Sequence, residues 1–478
     1  MTVSVALFTS DLRLHDSPVL HSAVRDADHV VPLFVRDTGI RRTGFEAPNR
    51  QAFLADCLAD LDAQLRRRGG RLVVRDEEVV AGALAVVAET GAHSLHIAGG
   101  VSGYALRREE RLRSALAAAG CTLHVHDAVV TALAPGTVVP SGRDHYAVFT
   151  PYFRRWEATG VRGTLAAPRA VRLPPGVASE PLPRREEVAG TSPGLAGGGE
   201  SAGRRLLSAW LDGPLADYGN SHDDLAGDAT SRLSPYLHFG CLSAAEVVHR
   251  ARRKGTPGAD AFVRQLAWRD FHHQVLAARP DAAWDDYRPR RDRWRTDEDE
   301  AEAWRAGRTG YPLVDAAMRQ LAHEGWMHNR GRMVVASFLT KTLYVDWRVG
   351  ARHFLNLLVD GDLANNQLNW QWMAGTGTDT RPNRVLNPVV QGRRFDPRGD
   401  YVRRWVPELA GLEGRAVHEP WTLPGPERAG LDYPEPLVDL TEARARFERA
   451  RSLGRPEAAW VRSGDGPILG PPGNESPV

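Results

Sequence analysis

The first 126 residues alternate short apolar runs with segments of helical spacing, and this alternation constrains the fold more than any other feature. Runs rich in Val, Leu and Ile predict buried strands at residues 3–8, 30–35, 71–75, 94–98 and 122–126. The segments between them predict helices at residues 17–25, 50–68, 77–89 and 105–119. Strands that alternate with helices indicate a doubly wound parallel sheet of the α/β class.

This α/β segment lacks the glycine fingerprint of a dinucleotide site. Gly99, Gly100 and Gly103 follow a predicted strand, but their spacing is not G-x-G-x-x-G. The first strand-to-helix turn, residues 9–11, contains no glycine. The fingerprint provides the tight turn and the close backbone approach that a pyrophosphate requires. The sequence therefore argues against a nicotinamide-dependent dehydrogenase.

The composition changes after the α/β segment. Prolines recur between residues 131 and 203, and three consecutive glycines stand at 197–199. A connection of this length is uncommon inside one compact domain, so we interpret it as an interdomain linker. One apolar and aromatic island, residues 146–156, is expected to pack onto a domain.

The rest of the chain is expected to be all-α. Apolar residues recur at helical spacing in residues 244–253, 259–278, 313–323, 332–343 and 351–358. The predicted organisation is an α/β domain, a linker, a helical domain and a flexible tail, at residues 1–130, 131–203, 204–460 and 461–478.

Composition and the N-terminus bound the location of the protein and its class. No run approaches the roughly 20 apolar residues of a membrane helix. The N-terminus has no basic region and reaches Asp11 too early for a signal peptide, so we expect a cytoplasmic protein. Cys57, Cys121 and Cys241 show neither a disulfide framework nor the spacing of a zinc or iron–sulfur site. A net charge of +2 does not by itself indicate a nucleic-acid binder.

Residues 325–372 place indoles, carboxylates, amides and arginines in an otherwise apolar segment. Such a mixture is costly to bury unless its polar groups meet partners, which predicts a lined cavity. The side chains expected to line it are Trp326, Asn329, Arg332, Trp347, Asp360, Asp362, Asn366, Trp370 and Trp372.

The pair Asp360 and Asp362 allows three interpretations. The two carboxylates can be an acid and base pair, a cation site, or acceptors for the N–H and hydroxyl groups of a ligand. No further carboxylates cluster nearby to complete a metal shell. We therefore rank the metal last and predict no metal site.

Three other clusters can carry chemistry. Tyr218 and the hydroxyl-rich residues 229–235 can hold a phosphate before a helix, but the residues alone favour an ordinary helix cap. Residues 265–271 place an indole beside an arginine, which suits base stacking and equally suits an amphipathic core helix. Residues 391–395 form a basic and aromatic patch for phosphates, or a solvated loop.

Taken together, these segments resemble the photolyase/cryptochrome family. The similarity runs from residues 10–16 to residues 405–409, which is most of the chain. The segments 310–319 and 325–333 are highly specific to the family. Several such blocks in the same order are not a chance agreement.

The resemblance implies that the helical domain binds FAD. The positions that match phosphate and ribityl contacts are Tyr218, Thr230, Ser231, Arg232, Leu233 and Ser234. Arg332 and Asp360 match a buried ion pair beside the isoalloxazine ring. The positions that match further contacts with the ring are Gly361, Asp362 and Asn366, the last facing flavin N5.

The resemblance also implies a light-driven reaction on a flipped-out DNA lesion. Trp370, Trp347 and Trp294 align with the family's electron-transfer chain from flavin to surface. The positions that match lesion and DNA contacts are Gln265, Trp268, Arg269, Asn329, Arg330, Met333, Trp372 and Gln391.

Two positions indicate which lesion is repaired. In the branch that repairs (6-4) photoproducts both are histidines, whereas this chain has Asn329 and Met333, the pattern of cyclobutane-dimer enzymes. Gln265 departs the other way, because a familiar bacterial cyclobutane enzyme has Glu there. An amide can still hydrogen-bond a pyrimidine edge, so we keep the cyclobutane assignment.

The resemblance implies an antenna chromophore but does not identify it. Residues 101–111 align with folate contacts, but Tyr104 and Ala105 replace the expected Asn-Glu pair. A deazaflavin, folate, another flavin or no antenna all stay open. The iron–sulfur branch needs four cysteines, and this chain has three.

The expected partner is UV-damaged DNA, and the expected state is a monomer with no membrane association. The residues at 365–369 and 381–384 differ from the usual sequence of the family. These differences leave the preference for duplex or single-stranded DNA open. The main rival is a cryptochrome that senses blue light without repair. A redox flavoprotein unrelated to light is a third class.

Overall fold

A five-stranded sheet occupies the N-terminal part of the protein. The computed structural model describes residues 2–41 and 43–453, so the predicted tail at 461–478 and residues 454–460 of the predicted helical domain lie outside the described residues. The strands are β1 (Val3–Phe8), β2 (His29–Val35), β3 (Val73–Arg75), β4 (Ser94–Ala98) and β5 (Thr122–His126). Their order is β3-β2-β1-β4-β5 and every pair is parallel, which confirms the predicted α/β architecture.

Helices cover both faces of this sheet. They are α1 (Pro18–Asp26), α2 (Thr38–Arg41), α3 (Pro48–Arg66), α4 (Val79–Thr90) and α5 (Gly103–Ala118). Side chains alternate along β1, so Ala6 and Phe8 join the core that includes α1 and α3, whereas Val5 and Leu7 join the core that includes α4 and α5. Burial on both faces explains why β1 and β2 are largely apolar runs. The edge strand β5 is partly exposed, so its predicted burial is wrong, and its sequence alternates apolar residues with threonine and histidine.

The C-terminal part is helical, as predicted. The helices are α6 (Phe149–Thr159), α7 (Glu200–Asp212), α8 (Tyr218–Ser221), α9 (Ser234–His238), α10 (Ala244–Arg252), α11 (Pro257–Ala278), α12 (Glu298–Arg305), α13 (Pro312–Glu324), α14 (Asn329–Ser337), α15 (Trp347–Leu357), α16 (Leu363–Ala374), α17 (Pro388–Phe395), α18 (Asp400–Trp405), α19 (Gly425–Ala429) and α20 (Leu440–Leu453). A π-helical turn, Phe338–Thr342, follows α14 and interrupts the helix predicted at residues 332–343. Among the described residues, every helix is too short or too polar to cross a bilayer.

The proline-rich connection is packed onto the helices rather than free. Three of its groups, the backbone N–H groups of Ala132 and Leu133 and the indole of Trp156, donate hydrogen bonds to the carboxylate of Asp270 on α11. The ring of Phe149 stacks on Trp268 with 3.7 Å between centroids, so the aromatic island packs as predicted. One hydrophobic core runs through both parts of the molecule, and the domain boundaries stay a prediction.

The α/β part and the helical part approach each other closely at Gly240. Its backbone lies in the left-handed region at φ +64°, and a Cβ there would lie 2.0 Å from the carbonyl oxygen of Ser10. The amide of Leu12 donates to the Phe239 oxygen at 3.1 Å, and the buried guanidinium of Arg13 donates to the Gly240 oxygen at 2.9 Å. Only glycine allows this contact.

Replacing Gly240 with alanine tests the importance of this contact. We expect Gly240→Ala to lower the free energy of unfolding by about 2–5 kcal/mol, because left-handed strain of about 1–2 kcal/mol adds to overpacking of about 1–3 kcal/mol. Gly255→Ala is the matched control, since Gly255 has φ +61° but nothing within 4 Å of an added Cβ. Equal decreases in the free energy of unfolding of the two variants, measured by urea denaturation, would contradict this interpretation.

Candidate functional site

A cavity between α14, α15 and α16 is lined by six of the nine side chains predicted to line one, whereas Trp326, Trp347 and Asp362 lie outside it. It holds about 580 Å³ of empty space, including its opening to solvent. Its lining residues are Asn329, Arg332, Met333, Ala336, Phe354, Leu358, Asp360, Asn365, Asn366, Asn369, Trp370, Trp372 and Met373. The structure therefore brings part of the set predicted to contact the flavin together with part of the set predicted to contact the lesion. The first part is Arg332, Asp360 and Asn366, and the second is Asn329, Met333 and Trp372.

Helical register explains how two helices line one cavity. Asn329, Arg332 and Met333 stand at i, i+3 and i+4 on α14, so they share a face. His328 caps this helix, because its Nδ1 accepts from the Arg330 backbone N–H at 3.1 Å. Similar spacing on α16 places its polar and aromatic residues toward the same space.

An ion pair between a half-buried arginine and a buried aspartate lies in the wall of the cavity. The Arg332 guanidinium Nη2 donates to Asp360 Oδ2 at 2.8 Å, and the Asp360 side chain is 4% exposed. Arg332 Nε donates to the Met327 oxygen at 2.9 Å, which fixes the guanidinium. The second oxygen of Asp360, Oδ1, is buried without a hydrogen-bond partner. One carboxylate oxygen is therefore available to a ligand.

Asp362 is committed to structural bonds on both oxygens. Its Oδ1 caps α16 by accepting from the Asn365 backbone N–H at 2.7 Å, and its Oδ2 lies 3.3 Å from Nε2 of His273. Burial raises the pKa of Asp362, but the electrostatic interaction and hydrogen bond with His273, together with the charge of Arg269, outweigh burial and hold that pKa well below 3.8. A carboxylate that stays ionised is a poor proton donor at neutral pH, so an acid and base pair is disfavoured.

Gly361 keeps room for a side chain that the sequence analysis missed. A Cβ at Gly361 would lie 2.7 Å from Nη1 of Arg50, which reaches over from α3. The same Arg50 nitrogen donates to the Leu358 oxygen at 2.9 Å. Burial lowers the pKa of Arg50 to about 10, partly offset by Asp360. No local pattern in the sequence distinguishes Arg50 from a surface arginine at a helix start.

The hydroxyl-rich segment before α9 does not form the ordinary helix cap that its residues favoured. Leu233 precedes α9 and makes no side-chain cap bond. The Ser234 hydroxyl instead accepts from the Trp326 indole at 3.1 Å, and the Arg232 guanidinium lies 4.3 Å from the centre of that ring. The Thr230 hydroxyl is buried without a partner. The cap interpretation is therefore wrong.

Two further residues of this predicted phosphate and ribityl set have partners of their own. Ser231 is half-buried, and its hydroxyl accepts from the Leu233 backbone N–H at 3.4 Å. Tyr218 is buried and packs edge-on against Trp210 and Phe262.

The predicted lesion residues on α11 differ in burial, since Trp268 is buried and Gln265 is half-buried. Trp268 is 1% exposed and its ring stands perpendicular to that of Trp372, with 5.3 Å between centroids. The indole nitrogen of Trp268 and the side-chain oxygen of Gln265 are buried without partners. Trp268 is thus both a core residue and a neighbour of a cavity wall.

Two predicted DNA-binding arginines are committed to buried partners. Arg330 is 2% exposed and pairs with Asp223, with Nε to Oδ1 at 3.1 Å and Nη2 to Oδ2 at 2.5 Å. Arg269 is buried and donates to the backbone oxygens of Val130 and Leu237. Neither residue lines the cavity, whereas Gln391 is half-buried on α17 with an unpartnered side-chain oxygen.

The three predicted electron-transfer tryptophans differ in exposure. Trp370 lines the cavity and contacts Phe354 and Trp304 at centroid distances of 5.0 and 6.0 Å. Trp347 is fully buried, and its indole donates to Asp286 at 2.9 Å. Trp294 is half-buried and packs against the same hydrophobic core. Trp370 and Trp347 are therefore buried, whereas Trp294 is partly exposed.

Five of the buried polar atoms without a hydrogen-bond partner lie at predicted ligand contacts, and the others are distributed over the rest of the described residues. Buried polar groups in proteins are nearly always hydrogen-bonded, so such orphans indicate a place for a polar ligand. The orphans at predicted contacts are Thr230 Oγ1, Gln265 Oε1, Trp268 Nε1, Asp360 Oδ1 and Gln391 Oε1. The site therefore fits a large cofactor with several polar groups. In the part of the chain that the structure describes, no cluster of three His, Cys, Asp or Glu side chains suits a metal ion.

Two family models match the chain, one described as DNA photolyase over residues 4–172 and one as the FAD binding domain of DNA photolyase over residues 262–452. The chain belongs to the DNA photolyase family. The cavity lies within the matched FAD-binding domain, which confirms the prediction of FAD. A deoxyribodipyrimidine photo-lyase of Streptomyces griseus is 74% identical over 454 residues, which cover 95% of this chain and 100% of that protein.

Solved structures of family members share the fold. A cryptochrome of Synechocystis sp. PCC6803 superposes with a TM-score of 0.88 at 30% identity, covering 94% of this chain and 99% of that chain. An archaeal photolyase of Sulfolobus tokodaii, solved with two FAD molecules, gives a TM-score of 0.80 at 29% identity, covering 95% of this chain and 100% of that chain. The cryptochrome is thus a more distant relative than the Streptomyces enzyme.

The ion pair of Asp362 predicts a pH dependence of stability. Because its folded-state pKa lies well below the ordinary 3.8, Asp362 stabilises the fold at pH values above about 3.8 and loses this effect as the pH falls through the folded-state pKa. We expect Asp362→Asn to unfold at lower urea concentration than wild type at pH 7, with a difference that shrinks below about pH 4. A difference that stays constant between pH 7 and acid would contradict the assignment.

Proposed function

We propose that this protein repairs cyclobutane pyrimidine dimers in DNA, driven by light absorbed by reduced FAD. The observation that carries the proposal is the cavity, where Arg332, Asp360 and Asn366 share one space with Asn329 and Met333. The 74% identity to the Streptomyces deoxyribodipyrimidine photo-lyase supports it. When bound, FAD supplies light absorption and a transferable electron.

The polar residues of the cavity would hold the cofactor. Asp360 keeps one oxygen free to accept an N–H of the ring, and Arg332 offsets the buried negative charge. Asn366 donates through its side-chain nitrogen to the Ala351 oxygen at 3.0 Å, which fixes an amide in the cavity wall. The positions that would bind the remaining parts of FAD are Tyr218, Thr230, Ser231, Arg232, Leu233, Ser234, Gly361 and Asp362.

The lesion would enter beside Trp372. Trp372 lines the cavity and can offer an aromatic surface to a splayed dimer. Trp268 would support Trp372 from behind, because it stands perpendicular to that ring, is 1% exposed and stacks on Phe149. Asn329 and Met333 neither donate nor accept a proton near neutral pH, which suits the splitting of a cyclobutane ring and not a reaction that requires histidine. The free oxygen of Gln265 offers an acceptor to a pyrimidine N–H.

DNA would reach the pocket over an arginine-bearing surface, and the protein would act as a monomer on UV-damaged DNA. Gln391 and the exposed residues Arg393 and Arg394 on α17 can contact phosphates. Arg269 and Arg330 would act by holding α11 and α14 in place, because both guanidinium groups are engaged inside the protein. The antenna, if present, would be a deazaflavin, folate or flavin. The two FAD molecules of the Sulfolobus photolyase support a second chromophore.

One assay tests repair. Purified protein with chemically reduced flavin is mixed with an oligonucleotide that contains one thymine dimer, and dimers are counted by chromatography after blue light or darkness. We expect dimers to disappear only in the illuminated sample. Persistence of dimers while the flavin absorbance stays that of the reduced form would favour the cryptochrome alternative.

Substitution of Trp370 should slow photoreduction of the flavin without affecting DNA repair. We expect Trp370→Phe to slow photoreduction of oxidised flavin at least about tenfold, equivalent to about 1.4 kcal/mol in the barrier, because phenylalanine is much harder to oxidise than tryptophan. Repair by chemically pre-reduced enzyme should be unchanged. Trp405→Phe is the control, since Trp405 packs against His323 and does not line the cavity. Normal photoreduction in Trp370→Phe would refute the electron-transfer assignment.

A further inference from the structure

Two of the three cysteines meet at the contact between the α/β part and the helical part. Cys57 lies on α3, and Cys241 lies in the turn between α9 and α10. Their sulfur atoms are 3.4 Å apart, although the residues are 184 positions apart in the sequence. Both side chains are fully enclosed, with residue exposures of 0% and 1%. Their spacing in the sequence gave no sign of this contact.

The surroundings hold both sulfur atoms in place. The backbone N–H of Gly199 donates to the Cys57 sulfur at 3.3 Å, and a Cβ at Gly198 would lie 2.9 Å from the same atom. Phe53, one helical turn before Cys57, packs against Tyr236 and Phe239 on the side of Cys241. A modest approach of the two sulfurs, from 3.4 Å to the roughly 2.05 Å of a disulfide bond, would join them.

We propose that Cys57 and Cys241 form a reversible, redox-dependent disulfide that joins α3 to the turn before α10. The oxidant is a two-electron acceptor such as a diazenedicarboxamide or a peroxide. With the diazene, both S–H bonds break, the S–S bond forms, and two protons and two electrons convert the N=N group to a hydrazine. With hydrogen peroxide the same change yields two water molecules. A dithiol reductant reverses the reaction.

The closed structure protects the thiols from unselective reaction. Burial raises the pKa of the Cys57 thiol, and the neighbouring Cys241 raises it further. The thiolate is the reactive form, so oxidation requires brief local opening that admits water. Cross-linking should therefore accelerate in urea concentrations that loosen the structure without unfolding it.

The location gives the cross-link a consequence for the site. The helix that carries Cys57 also carries Arg50, which holds the Leu358 carbonyl beside Asp360. The turn that carries Cys241 follows α9 and residues 230–234. A disulfide would tie these two supports together. It would also restrict the unfolded chain, which raises the urea concentration needed for unfolding.

Mass spectrometry of the full-length protein tests the proposal. The reduced protein is treated with diamide, in buffer and in urea below the unfolding midpoint, and then alkylated with N-ethylmaleimide in guanidinium. We expect three adducts before oxidation and one adduct after it, with a peptide map that links residues 57 and 241. Cys121→Ser is the matched control and should still cross-link, because Cys121 belongs to a different hydrophobic core.

Defined outcomes would overturn the proposal. Three adducts after diamide in both conditions would overturn it, and so would a link that involves Cys121. An unchanged urea midpoint in the cross-linked protein would refute the stabilising consequence. Cys57→Ser and Cys241→Ser should abolish the cross-link, with the corresponding alanine variants as substitutes if a serine variant does not fold. The wild-type peptide map decides the pairing independently of any variant.

Discussion

The ion pair between the half-buried Arg332 and the buried Asp360 is the interaction on which the candidate site depends. Burying two charges is expensive, and a hydrophobic pair of similar volume would often be as stable. The pair nevertheless leaves one Asp360 oxygen without a partner inside the protein. Arg50 adds a second positive charge from α3, so the α/β part contributes directly to this wall. We infer that a ligand completes the arrangement, at some cost to the stability of the protein without it.

The fold of the α/β part followed readily from the sequence, because short segments rich in Val, Leu and Ile alternate with helical patterns. The structure places β1, β4 and β5 at their predicted bounds. Helix α16 was missed for a physical reason. Its buried residues include Gln367 and Gln371, which donate to the Ala283 and Ala282 carbonyls and not to water, so no apolar stripe marks the helix.

The candidate site was predictable mainly by resemblance, because its contacts are long-range. Asn329, Arg332 and Met333 share a helical face, which local spacing predicts. The pairing of Arg332 with Asp360 joins residues that periodicity cannot relate. Arg330 shows most clearly where prediction from the sequence fails. It was expected to contact DNA, but its guanidinium is buried and paired with Asp223.

A crystal structure of the protein with bound FAD tests the central claim most directly, because it measures the distances from Asp360 Oδ1 and Thr230 Oγ1 to the cofactor. We predict both atoms within hydrogen-bonding distance of FAD, about 2.7–3.2 Å, with the Arg332–Asp360 pair intact. FAD bound outside the cavity, or both atoms still without a partner beside a bound cofactor, would contradict it.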